Sequence, residues 1–189
     1  MTTLQEDALP PGLLEERGEA RLHLGGTERK AGWKNLNAQP SASVDFVGDI
    51  RDLTQFGDAS QDMVYASHVL EHLGYQKDLP HALAEIVRVL KPEGRFFVSV
   101  PDLAVMCRLF ADRGATNKLR IAVMRMMFGG QIDPYDFHFV GLWDEYLAFL
   151  LFKAGFSAVY RVKSFGLFDD TSELTFDDVA ISLNMVAVK

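Results

Sequence analysis

The sequence is short of most of the devices by which a small protein advertises its chemistry. Its 189 residues include one cysteine, Cys107, so no disulfide can close within the chain and a cysteine-rich zinc centre is excluded. Basic residues are in the minority, 19 Lys and Arg against 26 Asp and Glu, for a formal charge of −7. That balance argues against a broad basic face for gripping a phosphate backbone. No apolar run approaches the ~20 residues of a membrane span; the longest, Leu147 to Phe152, stops at Lys153. The opening MTTLQEDALPPG lacks a basic segment followed by an apolar one, so it does not read as a signal peptide. Internal repeats and low-complexity tracts are missing too. With 48% hydrophobic and 24% charged residues, the chain reads as one ordinary globular domain. The expectation is a soluble, cytoplasmic protein without a nucleic-acid or membrane partner.

What is present is an alternation of short apolar runs with helical patterns. Residues 1–19 are polar, carry Pro10-Pro11-Gly12 and read as an N-terminal arm that Leu4, Leu9, Leu13 and Leu14 could dock on a body formed by 20–189. Strand candidates follow at Arg21–Leu24, Trp33–Asn37, Val44–Val47, Met63–Ala66 and Arg95–Val100. The last two are nearly continuous apolar runs, as strands buried on both faces of a parallel sheet require. Between them Leu79, Ala82, Leu83, Ile86, Val87 and Leu90 recur at helical spacing, and Lys91-Pro92-Glu93-Gly94 ends the pattern. Strand, helix and strand in this order make a βαβ unit. Helices are expected near Leu103–Arg113, Lys118–Phe128 and Trp143–Ala154, the last stopped by Gly155. Two final strands, Ala158–Phe165 and Ile181–Val188, are joined by an acidic loop without a helical crossover, which makes them an antiparallel pair. The fold class is therefore α/β: a seven-stranded, mostly parallel sheet with an antiparallel C-terminal pair.

In an open α/β sheet, ligands sit beyond the C-terminal ends of the strands. The residues to inspect are Gly25-Gly26-Thr27, Asn37, Gly48-Asp49-Ile50, Ser67 to His72, and Pro101-Asp102. Glycine after the first strand lets backbone approach a ligand without a Cβ clash. His68 and His72 stand at i and i+4 with Glu71 between them, the H-x-x-E-H string of inverted zinc peptidases. That pattern needs a helix on both sides, whereas here it follows a strand directly, and no metal ligand is assigned. A nicotinamide-binding reading fails because Gly25 to Lys30 does not supply G-x-G-x-x-G.

In combination these segments are more specific. Gly48-Asp49-Ile50-Arg51-Asp52-Leu53, YASHVLEHL, RVLKPEGRFFVSVPD, FGGQIDPYDFHFVG, LAFLLFKAGF and the closing ISLNMVAV together resemble the class I S-adenosylmethionine-dependent methyltransferases. More narrowly they resemble a small bacterial group of predicted methyltransferases. The resemblance implies a Rossmann-like sheet and S-adenosylmethionine as cofactor, acting on a small-molecule or glycan-type acceptor. It implies that Leu24, Gly25, Gly26 and Thr27 form the loop under the methionine portion, and that Asn37 stands where an acidic residue usually holds the ribose. Asp49 and Ile50 would flank the adenine, Ser67 and His68 would lie beside the sulfonium, and His72 would sit at the rim.

This sequence departs from that pattern. His23 replaces the acidic residue before the glycines, the glycines are not spaced, and Asn37 forgoes the strength of a charged acceptor. The competing reading is a degenerate, non-catalytic scaffold for cofactor sensing or protein interaction. If the acceptor is a hydroxyl or amine, a general base helps, and His138 and His68 are the candidate catalytic residues. The other reading of His138 is an aromatic plug, with Tyr135, Phe137 and Phe139 packed around it and its ring satisfied by a backbone carbonyl. The links 26–34 and 38–43 are too short for helical crossovers, so they should return nearly extended and leave one sheet face without its usual helices. The arm, the helices of 103–128, or a second copy in a homodimer would then cover it.

Overall fold

A computed structural model describes residues 9–189. Arg21–Leu24 (β1), Trp33–Asn37 (β2), Phe46–Val47 (β3), Gln61–Ser67 (β4) and Leu90–Pro101 (β5) pair in parallel, in the order β3-β2-β1-β4-β5. Helix α1 (Asp78–Val89) connects β4 to β5, and α2 (Leu103–Ala111), α3 (Asn117–Phe128) and α4 (Asp144–Ala154) precede β6 (Ala158–Val162). A small hairpin, β7 (Thr175–Phe176) and β8 (Val179–Ala180), leads into β9 (Ser182–Val188). β9 inserts between β5 and β6, antiparallel to both, which completes the seven strands. The sheet is the expected α/β one, with a single reversed strand.

Central position explains composition. β4 lies between β1 and β5, and Met63, Val64, Tyr65 and Ala66 are all fully buried. Their side chains alternate: Val64 and Ala66 join the core under α1 and α4, while Met63 and Tyr65 face the opposite layer. α1 buries Leu79, Ala82, Leu83, Ile86 and Val89. Its stripe ends where Pro92 disfavours helical backbone at the residue before it, and Leu90 already turns extended, with φ −69° and ψ 139°. β5 therefore begins five residues before Arg95, the expected start, and pairs Leu90 with Gln61 across an irregular register.

The short links do return without helices. Asn35, buried on β2, donates from Nδ2 to the carbonyls of Glu28 (2.7 Å) and Ser43 (2.9 Å), so one side chain ties down both links. Of the two covers expected from within the chain, the arm is the one found there among the described residues. Leu13 packs with Trp33, Tyr65 and Phe97, and the buried Arg95 guanidinium donates to the carbonyls of Gly12, Leu13 (2.7 Å) and Glu15 (3.4 Å). Leu9 is exposed, and Leu4 lies outside the described residues. The second cover is one the sequence did not suggest, the segment after β6, where Phe165, Leu167 and Phe168 join the same cluster. Helices α2 and α3 form their own cluster with Ile181 instead, because Asp102 caps α2 at the far end of β5 and directs the chain away from that face.

Candidate functional site

The tips of β1, β2, β3 and β4 converge on one cavity of about 510 Å³, a size suited to a cofactor or small ligand. Gly25, Asn37, Asp49, Ile50, Ser67, His68 and His72 all line it. Leu24, Gly26 and Thr27, expected beside Gly25, do not. Leu24 points into the core under α1, Gly26 is packed against Asn35 and His23, and Thr27 faces solvent. Period-two alternation is the reason for the first: a strand cannot present successive side chains to the same side.

Gly25 has φ +75°, and a Cβ built there would lie 2.5 Å from Val69 Cγ2. The loop after β1 thus passes within a methyl's reach of the segment after β4, a closeness only glycine permits. Asn37 secures the loop from the other side. Its Nδ2 donates to the carbonyls of Gly25 (3.0 Å) and Gly26 (3.3 Å), and its Oδ1 accepts from the Gln39 amide. Asp49 accepts from the Arg51 amide at 2.8 Å and from its guanidinium at 2.6 to 3.0 Å. These bonds hold the Asp49 carboxyl below the usual carboxylate range. Arg51 also reaches Asp78 at 3.5 Å, tying the loop after β3 to the start of α1. Ser67 Oγ is buried without a hydrogen-bond partner. His23 is far from this work: its ring is clasped between Tyr65 and Phe168 on the arm-covered face.

His68 carries a strained backbone, φ +53°, rare for a side chain of this size. Its Nε2 meets Ser182 Oγ at 2.9 Å, and burial pushes its pKa down to about 4. His68 and His72 also line a second cavity of about 430 Å³, with Glu71, Arg125, Asp136 and His138. His138 therefore belongs to this neighbouring space and not to the first. Its Nδ1 meets the Met126 carbonyl at 2.8 Å, and burial lowers its pKa to about 4. The carbonyl contact of the plug reading is thus real, but the packing is not, because Tyr135 and Phe139 remain 57% and 60% exposed. They roof the first cavity with Pro134. Glu71 is fully buried, which raises its pKa to about 8.

Sequence reasoning assigned no site role to Arg51, Val69, Asp78 or Glu71, although Val69 and Glu71 lie in the strand-tip run Ser67 to His72 that it singled out. Arg51 had a signal, standing two residues after an aspartate at a strand tip; Glu71 had one too, between two histidines. Val69 had its place after β4, and Asp78 had no signal, since only the fold brings it to Arg51.

Residues 22–98 match the family described as "Methyltransferase domain". That segment, about two fifths of the chain, is similar to methyltransferase domains. The matched segment runs from β1 to β5 and contains every strand tip of the first cavity. Solved structures agree on the fold. An S-adenosylmethionine-dependent methyltransferase of Thermotoga maritima superposes with TM-score 0.56 at 18% identity, over 94% of this chain and 88% of that one. One from Archaeoglobus fulgidus gives 0.57 at 17%, over 91% and 87%. The 1,6-didemethyltoxoflavin-N1-methyltransferase of Burkholderia thailandensis, solved with its substrate and S-adenosylhomocysteine, gives 0.54 at 18%, over 90% and 71%. No curated protein matches the sequence. The Thermotoga and Archaeoglobus proteins are described as S-adenosylmethionine-dependent, which is a property of those proteins. No helix among the described residues is long and apolar enough to cross a membrane.

Proposed function

We propose that the domain transfers a methyl group from S-adenosylmethionine to a small-molecule or glycan-type acceptor, with the cofactor in the first cavity and the acceptor in the second. The observation that carries this reading is that the two cavities adjoin through a shared wall, His68 and His72. Two features of the first cavity fit the cofactor. The glycine at position 25 leaves open backbone where any Cβ would collide with Val69, and Ser67 offers a buried hydroxyl that has no partner inside the protein.

When bound, the cofactor supplies a methyl group on a positively charged sulfur, and transfer is a direct displacement. The chain's task is then alignment, which can contribute up to ~7–11 kcal/mol to lowering a barrier. Asp49, kept ionised and fixed by Arg51, would accept from the adenine amine, with Ile50 against the ring. Asn37 would act mainly by fixing the Gly25 loop, with one lone pair of Oδ1 left for a ribose hydroxyl. Pro134, Tyr135 and Phe139 would keep water from the reacting face. His68 and His138 are both neutral at pH 7, but a base whose pKa is near 4 is poorly matched to taking a proton there. The net charge of −7 favours a small or glycan acceptor over a nucleic acid.

Calorimetric titration with S-adenosylmethionine tests the reading. One site per chain is expected. No heat at millimolar ligand would instead return the chain to a non-catalytic scaffold, and salt-sensitive RNA binding would overturn the acceptor class.

A further inference from the structure

We propose that Glu71, His72 and His138 bind a divalent first-row transition-metal ion in the wall between the two cavities. The three side chains offer one ligand atom each, an imidazole nitrogen from either histidine and a carboxylate oxygen, all within 4.8 Å of one another. Ligands on one such ion stand ~2.0–2.2 Å from it, so small side-chain rotations close the set.

The Glu71 carboxylate supplies the first argument. Glu71 is 1% exposed, and neither oxygen has a hydrogen-bond partner. A buried carboxylate without a donor is strongly unfavourable. Its nearest polar neighbour gives no relief. Ser182 Oγ spends its hydrogen on the Thr171 carbonyl, at 2.8 Å, so toward His68 it can only accept. The His68 proton is therefore on Nε2, and its Nδ1 lone pair faces Glu71 Oε1 at 3.4 Å. As a carboxylate Glu71 would set two acceptors face to face; a proton on the carboxyl relieves this, and a metal ion beside it takes the place of that proton.

The histidines supply an independent argument. His72 Nδ1 lies 3.1 Å from the Phe137 carbonyl, and His138 Nδ1 lies 2.8 Å from that of Met126. Carbonyls only accept, so each Nδ1 carries the proton and each Nε2 keeps a lone pair. A ring whose other nitrogen donates to a backbone carbonyl is the arrangement in which histidines ligate metals. The two rings meet edge to face with centroids 4.7 Å apart.

Backbone contacts hold this arrangement in place. The Phe139 amide donates to the Glu71 carbonyl at 2.8 Å, and the His138 amide donates to that of Phe128 at 3.2 Å. Gly129, at φ +82°, lets the 129–139 loop fold against Asp136, where a Cβ would collide with the Asp136 carbonyl. The carboxyl and guanidinium side chains lining the second cavity are Glu71, Asp136 and Arg125, so the cavity becomes net negative when Glu71 gives up its proton to bind a metal. Two imidazoles and one carboxylate suit zinc, iron, cobalt or nickel rather than magnesium or calcium, and leave positions open toward the second cavity. An acceptor held there through oxygen would meet the ion. That last clause rests on the methyl-transfer reading; the metal site does not.

The test uses the full chain, stripped with a chelator and titrated with cobalt(II) and zinc(II) in the absence of S-adenosylmethionine. The expected result is one ion per chain, a visible cobalt absorption band, and at least ~100-fold weaker binding in Glu71→Gln and His138→Ala, more than the ~10–100-fold of losing a mere supporting contact. His72→Asn, at a half-buried position, should do the same with an unchanged circular dichroism spectrum, and His81→Asn on α1 should bind as the wild type. Absence of a cobalt band with no heat of zinc binding overturns the site, as does equal affinity in folded His72→Asn. Because no cofactor is present, failure here leaves the cofactor titration untouched.

Discussion

Replacing Gly25 with alanine puts the closeness of the first cavity to a quantitative test. Two costs are expected. Alanine at φ +75° enters the left-handed region, at ~1–2 kcal/mol. Its Cβ would also stand 2.5 Å from Val69 Cγ2, about 1 Å inside ordinary contact between carbons, so Val69 must leave its rotamer at ~0.5–1.5 kcal/mol. The summed loss of stability is about 1.5–3.5 kcal/mol, read as a shift of the urea midpoint at constant slope. Val69 lines the cavity, so its displacement should also weaken S-adenosylmethionine binding by about tenfold, roughly 1.4 kcal/mol. The double variant Gly25→Ala/Val69→Ala separates the two costs. It removes the collision and leaves the backbone strain, so the interaction energy of the double-mutant cycle should be about 0.5–1.5 kcal/mol in the restoring direction. A Gly25→Ala protein within ~0.5 kcal/mol of wild type that binds cofactor equally well would refute the reasoning.

Three further outcomes are expected. Asp49→Asn should weaken cofactor binding about tenfold, because a neutral acceptor replaces a charged one, while stability moves by less than ~1 kcal/mol, since its ion pair with Arg51 is exposed; unchanged calorimetric affinity would remove Asp49 from the adenine site. Glu85 accepts from Arg88 at 2.8 Å and from the Leu53 amide at 3.0 Å, which lowers its pKa from 4.5 to about 2. Its folded pKa is depressed, so its stabilisation is present above pH ~4.5 and is lost as the pH falls toward 2. After discounting for solvent screening, Glu85→Gln should be less stable than wild type by about 2 kcal/mol at pH 7, with the gap in urea midpoints narrowing from pH 5 to pH 3; a gap independent of pH would contradict this. Arg95→Met should release the arm, because the carbonyls of Gly12, Leu13 and Glu15 lose their shared donor. Limited proteolysis within the first 19 residues should accelerate and stability should fall by about 2 kcal/mol or more, whereas wild-type cleavage rates would show that the apolar contact of Leu13 suffices.

Much of this protein was legible from local pattern. The apolar runs at 63–66 and 95–100 announced central strands because a strand buried on both faces has no polar side to show. The 3.6-residue stripe from Leu79 marked α1, and the glycine after β1 and the aspartate after β3 marked the edge that carries the first cavity. Seven of the ten expected cofactor-lining residues came together on one cavity, because strand tips in a parallel sheet share an edge once the strand order is right. The three that do not line it differ for a related reason. Leu24, Gly26 and Thr27 were grouped with Gly25 by adjacency, but alternation and the tie to Asn37 turn neighbours to different sides. The cover over β1 to β3 came from Phe165, Leu167 and Phe168, far along the chain, in answer to a vacancy that only the short links created.

Sequence alone thus determined the elements, their order and the edge where the first cavity opens, since these follow from hydrophobic periodicity and turn chemistry within a few residues. Tertiary structure decided that β9 enters between β5 and β6, and that the 129–139 loop carries His138 to the Glu71 and His72 pair. Such a meeting depends on where distant segments pack and on which buried groups are left without partners. A linear pattern records neither, because the free energy that brings the segments together belongs to the whole core.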